Sequence, residues 1–147
     1  MNILNDHPNV VKIYDVVRDN ATKTPALITE YVNQGDGDIK KIFSNFTSDD
    51  IKHYIYNALK ALNYAHSKGI MHRDVKPHNI LISAEDNSVK LADWGLAEFY
   101  VPGNEYSTKV AAMYYKAPEL ILGYPYYDYS VDIWALGCVF AELIFQK

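Results

Sequence analysis

Cysteine is nearly absent from this 147-residue chain: Cys138 is the single one, so no internal disulfide framework staples the fold. The first twelve residues mix Asn, Asp and His with apolar positions, and no apolar core of a secretory signal stands there. Ser/Gly linkers, blocks of like charge and internal repeats are missing, so composition marks no domain boundary. Excess positive charge is missing too. With 14 Lys+Arg against 18 Asp+Glu, net charge −4 and pI near 5.7, the chain does not read as a nucleic-acid-coating protein. The longest apolar stretch, Val131 to about Phe145, carries Asp132 and Glu142 and falls short of the roughly 20 residues of a membrane span. At 49% hydrophobic residues, the expectation is one mixed α and β domain of a reducing compartment, burying roughly two-thirds of its unfolded surface.

Two β-branched runs, Val10 to Val17 and Ala26 to Val32, flank the polar stretch Arg18 to Lys23 and read as an antiparallel strand pair. Asn33 to Asp38 reads as a loop. Thr47 then opens a helix with Asp50 as its capping-box partner; Ile51, Tyr54, Ile55, Ala58, Leu59, Leu62 and Ala65 form the apolar stripe, and Gly69 closes it. Ile80 to Ile82 and Val89 to Leu91 read as short strands around the turn Glu85-Asp86-Asn87. Ser130 reads as the cap of a second helix to about Phe145, apolar on nearly all sides and therefore expected at the centre of the fold.

The chemistry concentrates in His72-Arg73-Asp74-Val75-Lys76-Pro77-His78-Asn79, followed after the two short strands by Asp93-Trp94-Gly95. That hairpin can bring Asn79 and Asp93 together, and two converging oxygen donors suit Mg²⁺, which retains substrate phosphates among its ligands. Asp74 stands in a Pro-stiffened loop where it can accept a hydroxyl proton. Lys76 can neutralise charge on a transferring phosphoryl group. Singly, each reads as a surface turn former. Together, with Ala117-Pro118-Glu119 downstream, they match the protein-kinase order H-R-D-x-x-x-x-N, D-F-G, A-P-E.

HRDVKPHN, DWG in place of DFG, LAEFY, YDYS before the second helix and the strand-to-hinge passage TKTPALITEYVN resemble the catalytic subunits of the casein kinase 2 family, over Leu4 to Phe145. The resemblance implies an α+β, protein-kinase-like fold. The chain would hold the end of a small lobe in residues 1–31 and the first part of a helical large lobe in 32–147. It implies Ser/Thr phosphorylation at acidic protein sites, with ATP or GTP and Mg²⁺, a regulatory subunit as partner, no nucleic acid or membrane partner, and a cytoplasmic or nuclear location. It assigns Asp74 as catalytic base, Lys76 as phosphate contact, and Asn79 and Asp93 as metal ligands. Thr29 falls at the gatekeeper position, Glu30 and Val32 at the hinge, Leu81 on the floor of the base pocket and Ala92 beside the metal-binding aspartate. Asp132 resembles the helix aspartate that holds the HRD turn; from the residues alone, charge compensation at a helix N-terminus is an equal reading. Arg73, Lys109 and Lys116 would supply positive charge on the substrate side.

Some family features are missing. The sequence holds no G-x-G-x-x-G loop and none of the family's small-lobe lysine or helix-C glutamate, so phosphoryl transfer by these 147 residues alone is not expected. A non-catalytic, pseudokinase-like chain acting through protein binding is the competing reading. Glu119 lacks the arginine that pairs with it in the family. Ala112 stands where kinases carry Ser or Thr, and Met113 where casein kinase 2 carries Arg, which weakens the preference for acidic substrate. His53 and His66 lack metal-ligand spacing and read as structural or solvated.

Overall fold

Asp19 turns the first hairpin: its carboxylate accepts from the amides of Ala21 and Thr22, and Lys23 takes a positive φ of 60°. In this computed structural model, which describes residues 2–35 and 37–145, the hairpin strands are β1 (Ile13–Arg18) and β2 (Pro25–Thr29). Met1, Asp36 and the Gln146 and Lys147 end lie outside the described residues, and with Asp36 part of the expected 33–38 loop. The strands are antiparallel, Asp15 opposite Ile28 and Arg18 opposite Pro25. They are shorter than the β-branched runs because the run ends have other partners. Val10 bridges to Leu91, the Val11 amide donates to the Leu91 carbonyl at 3.0 Å, and both valines are buried. Glu30 leaves the sheet: its carboxylate accepts from the Lys12 amide at 2.7 Å and pairs with Lys90 at 3.0 Å. The hairpin is thus tied down at its base, while Tyr14, Val16, Leu27 and Ile28 on its blades are exposed.

A short helix that the hydrophobic pattern did not announce, α1 (Ile39–Ser44), is capped by Asp38, whose carboxylate accepts from the Lys40 amide. Helix α2 (Ser48–Ser67) follows the expected capping box: the Asp50 amide donates to Thr47 Oγ1 at 3.2 Å, and the Thr47 amide to Asp50 at 2.8 Å. Ile51, Tyr54, Ala58, Ala61, Leu62 and Ala65 are buried. Leu59, read as core, is exposed; with the half-buried Ile55 it forms the margin of the stripe. Gly69, with φ of 77°, turns the chain back after the helix, where a side chain would be strained.

Strands β4 (Ile80–Ile82) and β5 (Val89–Leu91) pair antiparallel with the expected boundaries, and Tyr54 donates its hydroxyl to the Ile80 carbonyl at 2.8 Å, fixing the pair on α2. Two residue pairs, β3 (Ile70–Met71) and β6 (Glu98–Phe99), clip the chain again. After the short α3 (Pro118–Ile121) comes α4 (Ser130–Phe145). Ser130 is its first helical residue instead of its cap, with its amide held by Asp128 Oδ1 at 2.8 Å. The expectation of burial on every side does not hold. Ala135, Leu136, Val139 and Leu143 pack into the core with α2, whereas Ile133, Trp134, Phe140, Ile144 and Phe145 are exposed, Phe145 to 84%. Among the described residues, no helix is long and apolar enough to cross a membrane. The architecture is α+β: among the described residues there are three two-stranded sheets, and α2 packs against β3, β5 and α4.

Candidate active site

Asp132, in the first turn of α4, is 1% exposed and surrounded by donors. Its Oδ1 accepts from the Arg73 amide at 2.7 Å, its Oδ2 from the His72 amide at 2.8 Å, and His66 Nε2 lies 2.8 Å from the same Oδ2. A carboxylate this deep is tolerable only with its lone pairs satisfied, and here they draw the 72–79 loop onto the helix. Asp132 thus anchors the loop from the first turn of α4, a position that also suits charge compensation at the helix N-terminus. Those bonds also hold Arg73 at φ 67°, a backbone conformation that costs a non-glycine residue about 1–2 kcal/mol.

His72 is fully buried. Its Nδ1 accepts from the Asp74 amide at 3.2 Å, so its proton sits on Nε2, which donates to the Ala92 carbonyl at 2.9 Å. Its ring meets Trp94 edge-on at 4.5 Å. Burial lowers the imidazole pKa below its usual value, outweighing the nearby Asp132, Asp74 and Asp93.

Pro77 starts a 3₁₀ turn, Pro77–Asn79, that returns Asn79 to Asp74. Asp74 Oδ2 accepts from Lys76 Nζ at 2.7 Å and from Asn79 Nδ2 at 3.0 Å, and Nδ2 also reaches the Asp74 carbonyl at 2.8 Å. The Ala92 amide donates to the Asn79 carbonyl at 2.8 Å, which ties the backbone just before Asp93 to the 3₁₀ turn. Asp93 is exposed, adopts φ 57° and ψ 71°, and accepts from the Gly95 amide. A Cβ on Gly95 would stand 3.1 Å from Asp93 Oδ1, so a side chain there would press the carboxylate aside by a few tenths of an ångström.

Asp93 lines a cleft of about 130 Å³ with Val11, Ile13, Leu27, Thr29, Trp94 and Gly95. Glu30 and Val32 instead line a more polar cleft of about 390 Å³, together with Tyr31, Asn33, Ser83 and Lys90. The residues expected around a base are therefore divided between two depressions. Leu81 and Ala92 are half-buried and line neither of the two. An apolar cavity of about 240 Å³ behind Leu4, Ile70 and Phe99 contains none of Asp74, Lys76, Asn79 or Asp93.

The residues expected on the substrate side differ in what they touch. Arg73 faces inward: Nε donates to the Leu96 carbonyl at 2.7 Å, Nη1 to the Tyr127 hydroxyl at 3.2 Å, and Nη2 lies 3.8 Å from Glu98. Lys116 is half-buried and reaches the Thr108 carbonyl at 3.4 Å, while Lys109 is exposed. Glu119 stands in α3, its carbonyl accepting from the Tyr124 amide, and Met113 is 72% exposed. His66 and Tyr127 entered the site without a sequence signal; one of two histidines on a helix and one tyrosine among thirteen do not announce partners this distant.

Among the described residues, no three His, Cys, Asp or Glu side chains group into a self-sufficient metal site. Magnesium does not ask for one, since it keeps waters and phosphate oxygens around one or two protein ligands. Asp93, with an exposed carboxylate, and Asn79, whose Nδ2 is committed to Asp74 so that Oδ1 is the ligating atom, are the donor types that requirement calls for. A family profile described as the protein kinase domain matches residues 1–147. That family generally works with ATP and Mg²⁺. With an H-R-D loop, a paired Asp74 and Lys76, and the Asn79 carbonyl bound to the Ala92 amide just before Asp93, this chain belongs to the protein kinase domain family.

Proposed function

We propose that this site serves transfer of a phosphoryl group to Ser or Thr hydroxyls in acidic protein segments, in the manner of the casein kinase 2 catalytic subunits that the sequence resembles. The observation that carries the reading is the shared Asp74 oxygen, held between Lys76 Nζ at 2.7 Å and Asn79 Nδ2 at 3.0 Å. That oxygen has a fixed place in a buried loop and suits acceptance of a substrate hydroxyl proton. Lys76 meets the negative charge that develops beside it. Asn79 and Asp93 would hold Mg²⁺. Thr29, Leu81 and Ala92 would border the nucleotide, with the Glu30–Val32 backbone at its base end; the Glu30 carboxylate itself is occupied by Lys12 and Lys90. When bound, MgATP or MgGTP supplies the phosphoryl group. Acidic proteins are the substrate class, with Lys109 and Lys116 providing cationic character, and a regulatory subunit is the expected partner.

The second reading, a non-catalytic chain that acts by protein binding, draws on the exposed apolar side chains of α4, Trp134, Phe140 and Phe145. Titration calorimetry with ATP, with and without Mg²⁺, tests the first. Mg²⁺-dependent binding that weakens about tenfold or more in Asp93→Ala and in Asn79→Ala, but persists in Asp74→Asn, is expected. Absence of Mg²⁺-dependent binding would overturn it. Transfer from labelled ATP to an acidic Ser peptide, lost in Asp74→Asn, would overturn the second reading. For substrate choice, Met113→Arg should tighten binding of the acidic peptide and leave a neutral one unchanged, because the exposed position admits a planar carboxylate-binding group.

A further inference from the structure

The stretch from Glu98 to Val110 has little structure of its own: past the two residues of β6 it is mostly exposed and irregular. Ordering such a chain costs about 1–2 kcal/mol of backbone entropy per residue, so whatever holds it must be a few strong ties. Tyr127, in the loop before α4, is buried at 4% exposure against Met71, Val110, Leu120 and Val131. Its hydroxyl has two partners: it donates to the Ser107 carbonyl at 2.6 Å and accepts from Arg73 Nη1 at 3.2 Å. The same guanidinium grips the start of the segment through the Leu96 carbonyl and Glu98. Arg73 and Tyr127 together therefore bracket the segment at both ends, and Arg73 adjoins Asp74 in the chain.

We propose that the Tyr127 hydroxyl pins the Glu98–Val110 segment to Arg73, and so to the loop that carries Asp74, which makes Tyr127 a positioning residue of the site. The bond from the Tyr127 hydroxyl to the Ser107 carbonyl is the short one at 2.6 Å, and the one it accepts at 3.2 Å comes from an ionised donor. Secondary ties lie around the pin: the Tyr106 amide donates to the Pro125 carbonyl at 2.9 Å, the Tyr106 ring lies 5.5 Å from Tyr127, and the Tyr106 hydroxyl accepts from the Val101 amide at 2.6 Å. Tyr126, one residue earlier, makes a contact of equal length to Glu105, but at an exposed rim where water competes. The contrast between these neighbours isolates the claim.

The inference rests on the phosphoryl-transfer reading for what the segment serves, yet its test needs no nucleotide, so each can fail alone. Amide hydrogen exchange on the full chain, with Tyr127→Phe, Arg73→Lys and Tyr126→Phe, reads it. Tyr127→Phe keeps the ring and removes only the hydroxyl. Its Val101 and Tyr106 amides should exchange about tenfold faster or more, while the Tyr54 and Leu62 amides of α2 stay within about twofold. Arg73→Lys should act in the same direction, and the double variant should add less than the sum of the two. Tyr126→Phe should leave exchange unchanged. The proposal is overturned by unchanged exchange in Tyr127→Phe, or by an equal effect in Tyr126→Phe. Acceleration spread evenly over α2, or no protection of the Tyr106 amide in the unsubstituted chain, overturns it as well.

Discussion

Asp132 illustrates how one buried carboxylate sets a site. It takes the His72 and Arg73 amides and sits against His66, so Asp132→Ala leaves those donors unpaired in a closed interior. Such a loss costs about 3 kcal/mol or more and should appear as a lower urea midpoint for unfolding. Asp132→Asn, which keeps one acceptor oxygen, should fall between. His72 carries a pH signature. Its folded pKa lies below the ordinary histidine value near 6.5 because burial opposes the charged ring. Between the two values the unfolded chain binds a proton that the folded chain does not. Stability is therefore fully present above about pH 6.5 and is lost as pH falls, by at most about 1.4 kcal/mol per pH unit. His7, also shifted down by burial, adds in the same direction. Urea midpoints between pH 7.5 and 5.5 should decline, and the decline should flatten in His72→Gln.

At the scale of elements, the capping box of α2 is the simplest test. Thr47→Ala removes the acceptor of the Asp50 amide and should cost about 1 kcal/mol, seen as a lower melting temperature with unchanged helix content in the folded baseline. This helix, and the β4–β5 pair with its boundaries, were legible in the sequence because local signals agreed: a cap, a stripe of period 3.6, a turn of Glu85, Asp86 and Asn87 between Ile80-Leu81-Ile82 and Val89-Lys90-Leu91. Helix α1 was not, since six residues give too little periodicity, although Asp38 was in place as its cap. The strand pair was legible in kind but not in extent, because Val10 and Val11 look like strand β1 and belong instead to the Leu91 edge. The order H-R-D, N, D-W-G pointed to Asp74, Lys76, Asn79 and Asp93. The inward turn of Arg73 toward Tyr127 was hidden, since a long-range contact leaves no local pattern.

Across the whole molecule, the uneven covering of α4 dominates behaviour in solution. Trp134, Phe140, Ile144 and Phe145 are between 42% and 84% exposed, and the β1–β2 hairpin exposes Tyr14, Val16, Leu27 and Ile28. At roughly 25 cal/mol per Å², a few hundred Å² of such surface is worth several kcal/mol to whatever covers it, comparable with the net stability of a domain. The purified chain is therefore expected to associate in sedimentation velocity and to bind an apolar dye; a monomer with a sharp melt and no dye binding would contradict this. The Asp132 contact with the loop has a further consequence, in time instead of space. His72 and the carboxylate that fixes it are 60 residues apart. A polypeptide grows from its N-terminus, and distant contacts close late. During synthesis, α2 and the β4–β5 pair can settle while the segment bearing Asp74 is still without its anchor. The order of that loop waits for the segment around residue 132, which also brings Ala135, Leu136, Val139 and Leu143 to the core that α2 began.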